Sequence, residues 1–256
     1  MESILIVYKR IGETPLEALE RVRLDKHIPS EVPMTYAGRL DPMAEGVMII
    51  LVGDACREEN KKKYLGLDKI YEVEILVGFD TDTHDLLGLV QNVKIDGNQK
   101  EILEKVQNEM QKWIGEFEQT YPLYSSKTVS GKQLFTYGQS GEEVKLPSHI
   151  VRVYSLSHMS SRSITSEVLE TYLDENIGKV MGDFRQSEIL QTWHEKLQSM
   201  QKKEFLVVKL EVVCGSGMYV RQLVHDIGKN IGIPMLMFSL KRTRVGEYSL
   251  KNTSMF

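Results

Sequence analysis

Apolar and polar positions alternate through residues 70–77: Tyr71, Val73, Ile75 and Val77 share one face, Glu72 and Glu74 the other. A period of two is the mark of a half-buried strand, and it turns Tyr71 inward with the apolar set. Residues 47–52, Val-Met-Ile-Ile-Leu-Val, are apolar throughout, which suits a strand buried on both faces. Residues 3–8, 149–156 and 205–213 and the last 25 residues also read as strands, with Leu86 to Val90 returning from 70–77. Helical spacing takes over at 100–114, where Ile102, Leu103, Val106, Met110 and Trp113 line one face. Thr14-Pro15-Leu16-Glu17 opens a helix, with Thr14 as N-cap, Pro15 in the first turn, Glu17 closing a capping box, and Leu16, Leu19 and Val22 toward the core. Gly131 marks a turn before a short helix, and residues 167–200 hold two helical patterns broken near Gly182. Tyr219 to Lys229 reads as a helix closed by Gly232 and Pro234. Strands and helices mix without a steady βαβ rhythm. The expectation is therefore one domain of α+β class, a largely antiparallel mixed sheet flanked by helices.

Composition narrows the picture. With 256 residues, 41% apolar and 27% charged, the chain can bury a sizeable core. It contains no apolar run of membrane-spanning length and no secretory leader pattern after Met1, so a cytoplasmic, non-membrane protein is expected. Two distant cysteines, Cys56 and Cys214, cannot make a zinc cluster alone and read as reduced thiols. The net charge of −4 argues mildly against a nucleic-acid binder, but its distribution is uneven. Residues 167–200 hold seven acids against three bases, a balance equal to that of the whole chain, whereas residues 219–251 hold six bases against two acids. Lys61-Lys62-Lys63 reads as a solvated face. No glycine-rich phosphate loop or dinucleotide fingerprint is present.

The densest chemical signal is Tyr36-Ala37-Gly38-Arg39-Leu40-Asp41-Pro42-Met43-Ala44-Glu45-Gly46. Taken alone it is a turn that uses Asp and Pro for their backbone preferences. In company it is more. Lys9-Arg10-Ile11-Gly12, Lys69-Ile70-Tyr71, the stretch Gly78-Phe79-Asp80-Thr81-Asp82-Thr83-His84-Asp85-Leu86-Leu87-Gly88, Pro122-Leu123-Tyr124-Ser125-Ser126-Lys127 with Gly131-Lys132, Gly217-Met218-Tyr219-Val220-Arg221, and Leu240-Lys241-Arg242-Thr243-Arg244-Val245-Gly246 follow in order. This ordered set, across residues 4–160 and 205–250, resembles the TruB family of pseudouridine synthases.

The resemblance implies the pseudouridine synthase fold and the isomerisation of a uridine in RNA, most simply in the T-loop of tRNA. It needs neither metal nor cofactor. Asp41 matches the family's nucleophile, and covalent catalysis by a carboxylate is established chemistry. Arg221 is implied as the cation beside it, in a bidentate contact that would fix its direction. Tyr71 is implied as the face on which the flipped base stacks, with a possible part in proton transfer; read without the family it is a core aromatic. Tyr219, Lys9, Lys127, Tyr36 and Arg39 are candidate RNA or site-orienting contacts, though a lone Lys is usually surface. His84 and His225 are read as non-catalytic, the latter with no matching partner.

Two departures bear on substrate. Arg10 stands where the family has Pro, and Tyr36 where its tRNA enzymes have a His that receives the RNA loop. Residues 161–204 show no clear counterpart and read as a helical insertion that could dock a protein. The chain also ends where many members continue into a C-terminal RNA-binding domain, so the catalytic domain is expected to hold RNA alone or with help from the insertion. A non-catalytic tRNA-folding module and the catalytic subunit of a guide-RNA particle are the alternatives.

Overall fold

A computed structural model describes residues 2–95, 97–200 and 203–253. In chain order the first half comprises β1 (Glu2–Lys9), α1 (Pro15–Asp25), β2 (Met34–Ala37), β3 (Ala44–Gly53), α2 (Glu58–Leu65), β4 (Lys69–Val77), β5 (Phe79–Thr81), β6 (Val90–Val93), α3 (Gln99–Met110) and β7 (Gly115–Thr120). There follow β8 (Thr128–Val129), β9 (Lys132–Gln133), α4 (Leu134–Ser140), β10 (Ser148–Thr165), α5 (Ser166–Ile177), α6 (Gln186–Gln198), β11 (Glu204–Cys214), α7 (Val220–Ile231), β12 (Met235–Val245) and β13 (Tyr248–Ser249).

The central sheet runs β1-β3-β12-β4-β11-β10-β7, with β2 also on β3 and β13 on β12. Every pairing within it is antiparallel except β3 with β12. The α+β expectation with a mixed, mostly antiparallel sheet is borne out. Alternation in β4 buries Tyr71, Val73, Ile75 and Val77 against α3 and α7, and β3 is buried on both faces as its apolar run requires. The capping box at Thr14 and Glu17 forms.

Three local expectations are corrected. Leu16 is 58% exposed; Ala18, Leu19 and Val22 form the inner stripe of α1 instead. The strand returning to β5 is Val90–Val93, not 86–90, because Asp82, Thr83 and Asp85 spend their side chains bonding the intervening turn. The helix at 99–110 tightens into a 3₁₀ turn over Gln111–Trp113.

The stretch 161–204 is built into the core. Its first residues extend β10 to Thr165, and α5 and α6 pack Leu169, Leu173, Ile177, Ile189, Trp193 and Leu197 onto Phe79, Leu86, Phe205 and Phe238. Trp193 is fully buried, its ring 5.4 Å from that of Phe79. None of the described helices is long and apolar enough to cross a membrane.

The single parallel pairing seats the start of β3 beside Leu240–Arg242, with Gly46 opposite Arg242. Gly46 has φ +114°, and a Cβ there would collide with the Arg242 carbonyl oxygen and press on its amide nitrogen. Only glycine meets both demands. Gly46→Ala is expected to lower unfolding free energy by about 2–6 kcal/mol in urea titrations, since left-handed strain and backbone overlap add.

Candidate active site

Asp41 sits on the loop between β2 and β3, and three buried groups shape that loop by its carbonyls. Arg242, 1% exposed, donates Nε–H to Val47 O at 2.7 Å, Nη1–H to Arg39 O at 3.1 Å and Nη2–H to Gly38 O at 3.3 Å. Lys9, fully buried, donates Nζ–H to Ala44 O at 2.6 Å, to Arg10 O at 3.0 Å and to Pro42 O at 3.3 Å. The third is Gly12, whose amide bonds Pro42 O at 2.9 Å. Carbonyls that would otherwise go unpaired thus tie the loop to β1 and β12. Burial pulls the Lys9 ammonium down to about 8, against the attraction of Glu13 and Asp41. A lysine so enclosed orients the loop; it does not reach a phosphate.

The Asp41 side chain is 40% exposed, and its Oδ2 accepts Nε–H of Arg221 at 2.9 Å. Arg221 is on the first turn of α7 and 3% exposed. The expected bidentate pairing does not form. Nη1 donates to Thr83 O at 2.7 Å and Nη2 to Tyr124 O at 2.8 Å, so one planar fork joins three loops. The start of α7 is set by Gln119, which accepts from Tyr219 N–H at 2.9 Å and donates to Tyr219 O at 3.1 Å. Sequence reading missed Gln119; it is the buried polar residue of an otherwise alternating strand, β7.

Tyr71 lies in the core cluster, 7% exposed, with Arg242 as cross-strand partner. Burial pushes its phenol up to about 12; Arg242 works against this, and the charge of Asp41 adds to it. Tyr219 also lies in the field of Asp41, with the Arg221 guanidinium 6.0 Å from its ring. Tyr219 meets Tyr121 edge-on, and Tyr121 stacks on His149 at 4.1 Å. Lys127 is exposed, its ammonium 4.9 Å from the Tyr121 ring. Arg39 is exposed, its guanidinium 5.8 Å from the Tyr36 ring, and both line a groove of about 330 Å³ with Arg23 and Lys61. The structure therefore gathers Asp41, Arg221, Tyr71, Tyr219 and Lys9 at one centre, with Tyr36 and Arg39 on an adjoining groove.

A second participant was not foreseen. Arg185, the left-handed residue before α6, bonds Asp82 Oδ2 through Nη1 at 2.8 Å and lies 4.6 Å from the Tyr124 ring. It thereby braces two of the segments that carry the carbonyls gripping Arg221. Nearby, Met181 N–H reaches Gly12 O at 3.4 Å. Nothing in the local sequence of Arg185 marks it; its role exists only in the folded arrangement.

The fold carries this half-exposed aspartate on a buried arginine, and comparison with known proteins supplies the class: this is a pseudouridine synthase. More narrowly, residues 26–176 match the family described as TruB family pseudouridylate synthase (N-terminal domain), and the chain belongs to that family. The match takes in α5, the first helix of the stretch read as an insertion. Among similar proteins, one from Ligilactobacillus salivarius named tRNA pseudouridine synthase B is 30% identical over 98% of this chain and 69% of its own length. A protein of the same name from Fusobacterium nucleatum is 28% identical over 98% of this chain and 70% of its own. Among solved structures, a chain of a Cbf5-Nop10-Gar1 complex has a TM-score of 0.57 at 18% identity, covering 96% of this chain. This chain spans about half the length of that one, 49%, and the likeness is one of fold.

Two outcomes follow. Arg185→Gln removes the brace but no reacting group. A roughly ten- to hundredfold loss in kcat is expected, with the KM for RNA little changed and stability lower by at most about 1–2 kcal/mol. Single-turnover kinetics and urea unfolding measure both; an unchanged kcat would show the brace to be idle. The second concerns Asp85, 5% exposed, whose carboxyl burial pushes up to about 6, with Arg221 opposing and Asp41 adding. From about pH 4 to 6 the folded protein holds a proton that the unfolded chain releases, so this group's stabilisation is full at the acid end and lost as pH rises. Asn at 85 keeps an oxygen for the Thr83 hydroxyl and the Leu87 amide but does not titrate. The stability of wild type minus that of Asp85→Asn should fall across this window by on the order of 2 kcal/mol, then level off near neutrality. A flat or rising difference in thermal melts would contradict it.

Proposed function

We propose that this chain isomerises a uridine in the T-loop of tRNA, with Asp41 as the covalent nucleophile. The observation that carries the reading is the Asp41–Arg221 pair, an accessible carboxylate held at one oxygen by a buried guanidinium. Supporting it, relatives named tRNA pseudouridine synthase B align with nearly the whole chain.

The reaction breaks the N1–C1′ bond, turns the base and forms C5–C1′; C5 loses a proton and N1 gains one. No electrons enter or leave. Asp41 supplies the covalent attachment that holds the fragments between the two bonds. Arg221 keeps the carboxylate aimed. Tyr71 is the wall against which the extruded base rests, and stacking worth roughly 1–3 kcal/mol offsets part of the cost of unstacking it. A phenol raised to about 12 stays protonated near neutrality, so Tyr71 serves as a stacking face and neutral donor rather than a resting base. Tyr219 stands beside the same carboxylate and arginine. Lys127, Arg39 and the groove beside Tyr36 offer cations to the RNA backbone, with the Tyr36 ring able to stack on a loop base where family members carry an imidazole.

The test uses untreated transcript tRNA and a T-arm hairpin, with carbodiimide labelling and primer extension. Wild type should give a stop at a T-loop uridine with no added guide RNA, and Asp41→Asn should reduce it to background. No stop with wild type, a stop elsewhere, or equal stops for both proteins would refute the proposal.

A further inference from the structure

His225 has a partner after all. Its ring stacks on that of His84 with centroids 3.8 Å apart and planes 27° apart. Both Nδ1 atoms aim at one oxygen: Asp80 Oδ1 is 3.3 Å from His84 Nδ1 and 3.2 Å from His225 Nδ1. We propose that Asp80, His84 and His225 form a binding site for one divalent transition-metal ion of the zinc type. The inference stands independently of which RNA is the substrate.

The donor set is two imidazole nitrogens and a carboxylate oxygen, which zinc and its neighbours favour over calcium or magnesium. The spacing agrees. Bonds of about 2.0–2.1 Å to a tetrahedral ion put ligand atoms about 3.3–3.4 Å apart, and both nitrogen–oxygen separations fall beside that edge length. One donor atom from each of the three residues lies within 4.8 Å of the others. Binding widens the angle between the two rings and leaves a fourth position for water. Side-chain exposures of 13%, 19% and 24% for Asp80, His84 and His225 leave the cluster enclosed yet reachable.

The scaffold is set in advance. Asp80 and His84 flank a tight turn in which His84 takes φ +64°, its amide bonding Thr81 O at 3.2 Å and its carbonyl accepting from Met237 N–H at 3.0 Å. His225 stands one turn beyond Arg221 on α7. Asp226, within electrostatic reach of both rings, adds a second negative charge opposite that of Arg221. An ion here would clip the turn carrying the Thr83 carbonyl to the helix carrying Arg221, and so would hold the catalytic pair's frame without entering the chemistry.

The experiment uses untagged, chelator-treated full-length protein. Cobalt(II) is titrated as a spectroscopic probe and zinc(II) by calorimetry. His84→Asn, which tolerates the left-handed backbone, and His225→Ala are measured beside wild type, with circular dichroism as the folding control. Wild type is expected to bind one equivalent, to show the intense visible absorption of tetrahedral cobalt, and to melt higher with zinc. Each variant should bind at least ~100-fold more weakly, beyond what an outer-shell partner is worth. No cobalt band and no saturable zinc binding in wild type would overturn the proposal, leaving two histidines that merely share hydrogen bonds to Asp80. Equal binding by folded variants would overturn it as well, by placing the metal elsewhere.

Discussion

A guanidinium cannot lose its charge, so burying one at 3% exposure obliges the chain to surround it with acceptors. Arg221 meets this with one carboxylate and two main-chain carbonyls, from residues 41, 83 and 124. Much of the active site follows from that requirement. The turn after β5 must present Thr83 O, the segment before β8 must present Tyr124 O, and the loop before β3 must bring Asp41 within 2.9 Å. An ammonium would not serve, because its donors lack the flat fork that spans three loops at fixed angles. The contact to Asp41 occupies a single carboxylate oxygen. A bidentate clamp would have spent both on structure; a one-point grip aims the carboxylate and leaves its other oxygen free of Arg221.

The sequence made the frame of this arrangement readable and left its joints dark. The period of two in β4 turned Tyr71 inward, and the unbroken apolar run of β3 announced a central strand. These are local rules acting on local residues. Asp41 was different: its own neighbours said only "turn", and it took on chemical meaning from ordered motifs far along the chain. What stayed hidden depended on contacts that no period encodes. Lys9 seemed fit for a phosphate and proved a buried staple for three carbonyls. Arg185 sat in an acidic stretch without a recognised motif, and its reach to Asp82 depends on where α6 begins. His225 looked solitary because His84 lies on a distant turn.

Residues 161–204 show the same limit at the scale of an element. Their lack of familiar motifs suggested a helical insertion, one that could dock a protein. Yet Trp193 and its neighbours complete a core against Phe79, Leu86 and Phe205, and Arg185 and Met181 touch the segments around the site. Charge describes only the outer face of an amphipathic pair of helices; the inner face decides whether they belong to the core. Removing these helices would expose the apolar underside of β5 and β11 and free the Asp82 turn. The stretch therefore acts on Arg221 through packing, whatever its outer face meets.

An acidic chain that works on RNA also has to separate two uses of positive charge. Lys9, Arg221 and Arg242 are buried and saturated by protein oxygens, so they build the site but have little to offer a phosphate. The cations that remain accessible, such as Lys127 and Arg39, lie beside aromatic rings around the entrance. This division keeps exposed cations beside the site although the net charge is −4, since charges in solvent are screened over about 8–10 Å. The pairing of cation with ring has its own consequence. A lysine over Tyr121 or an arginine over Tyr36 offers a phosphate contact and a stacking face at the same point, which suits a single-stranded loop whose bases are splayed. A rigid duplex presents only its phosphates to such a pair. A cation beside a ring is thus matched in chemistry to a loop rather than to a duplex.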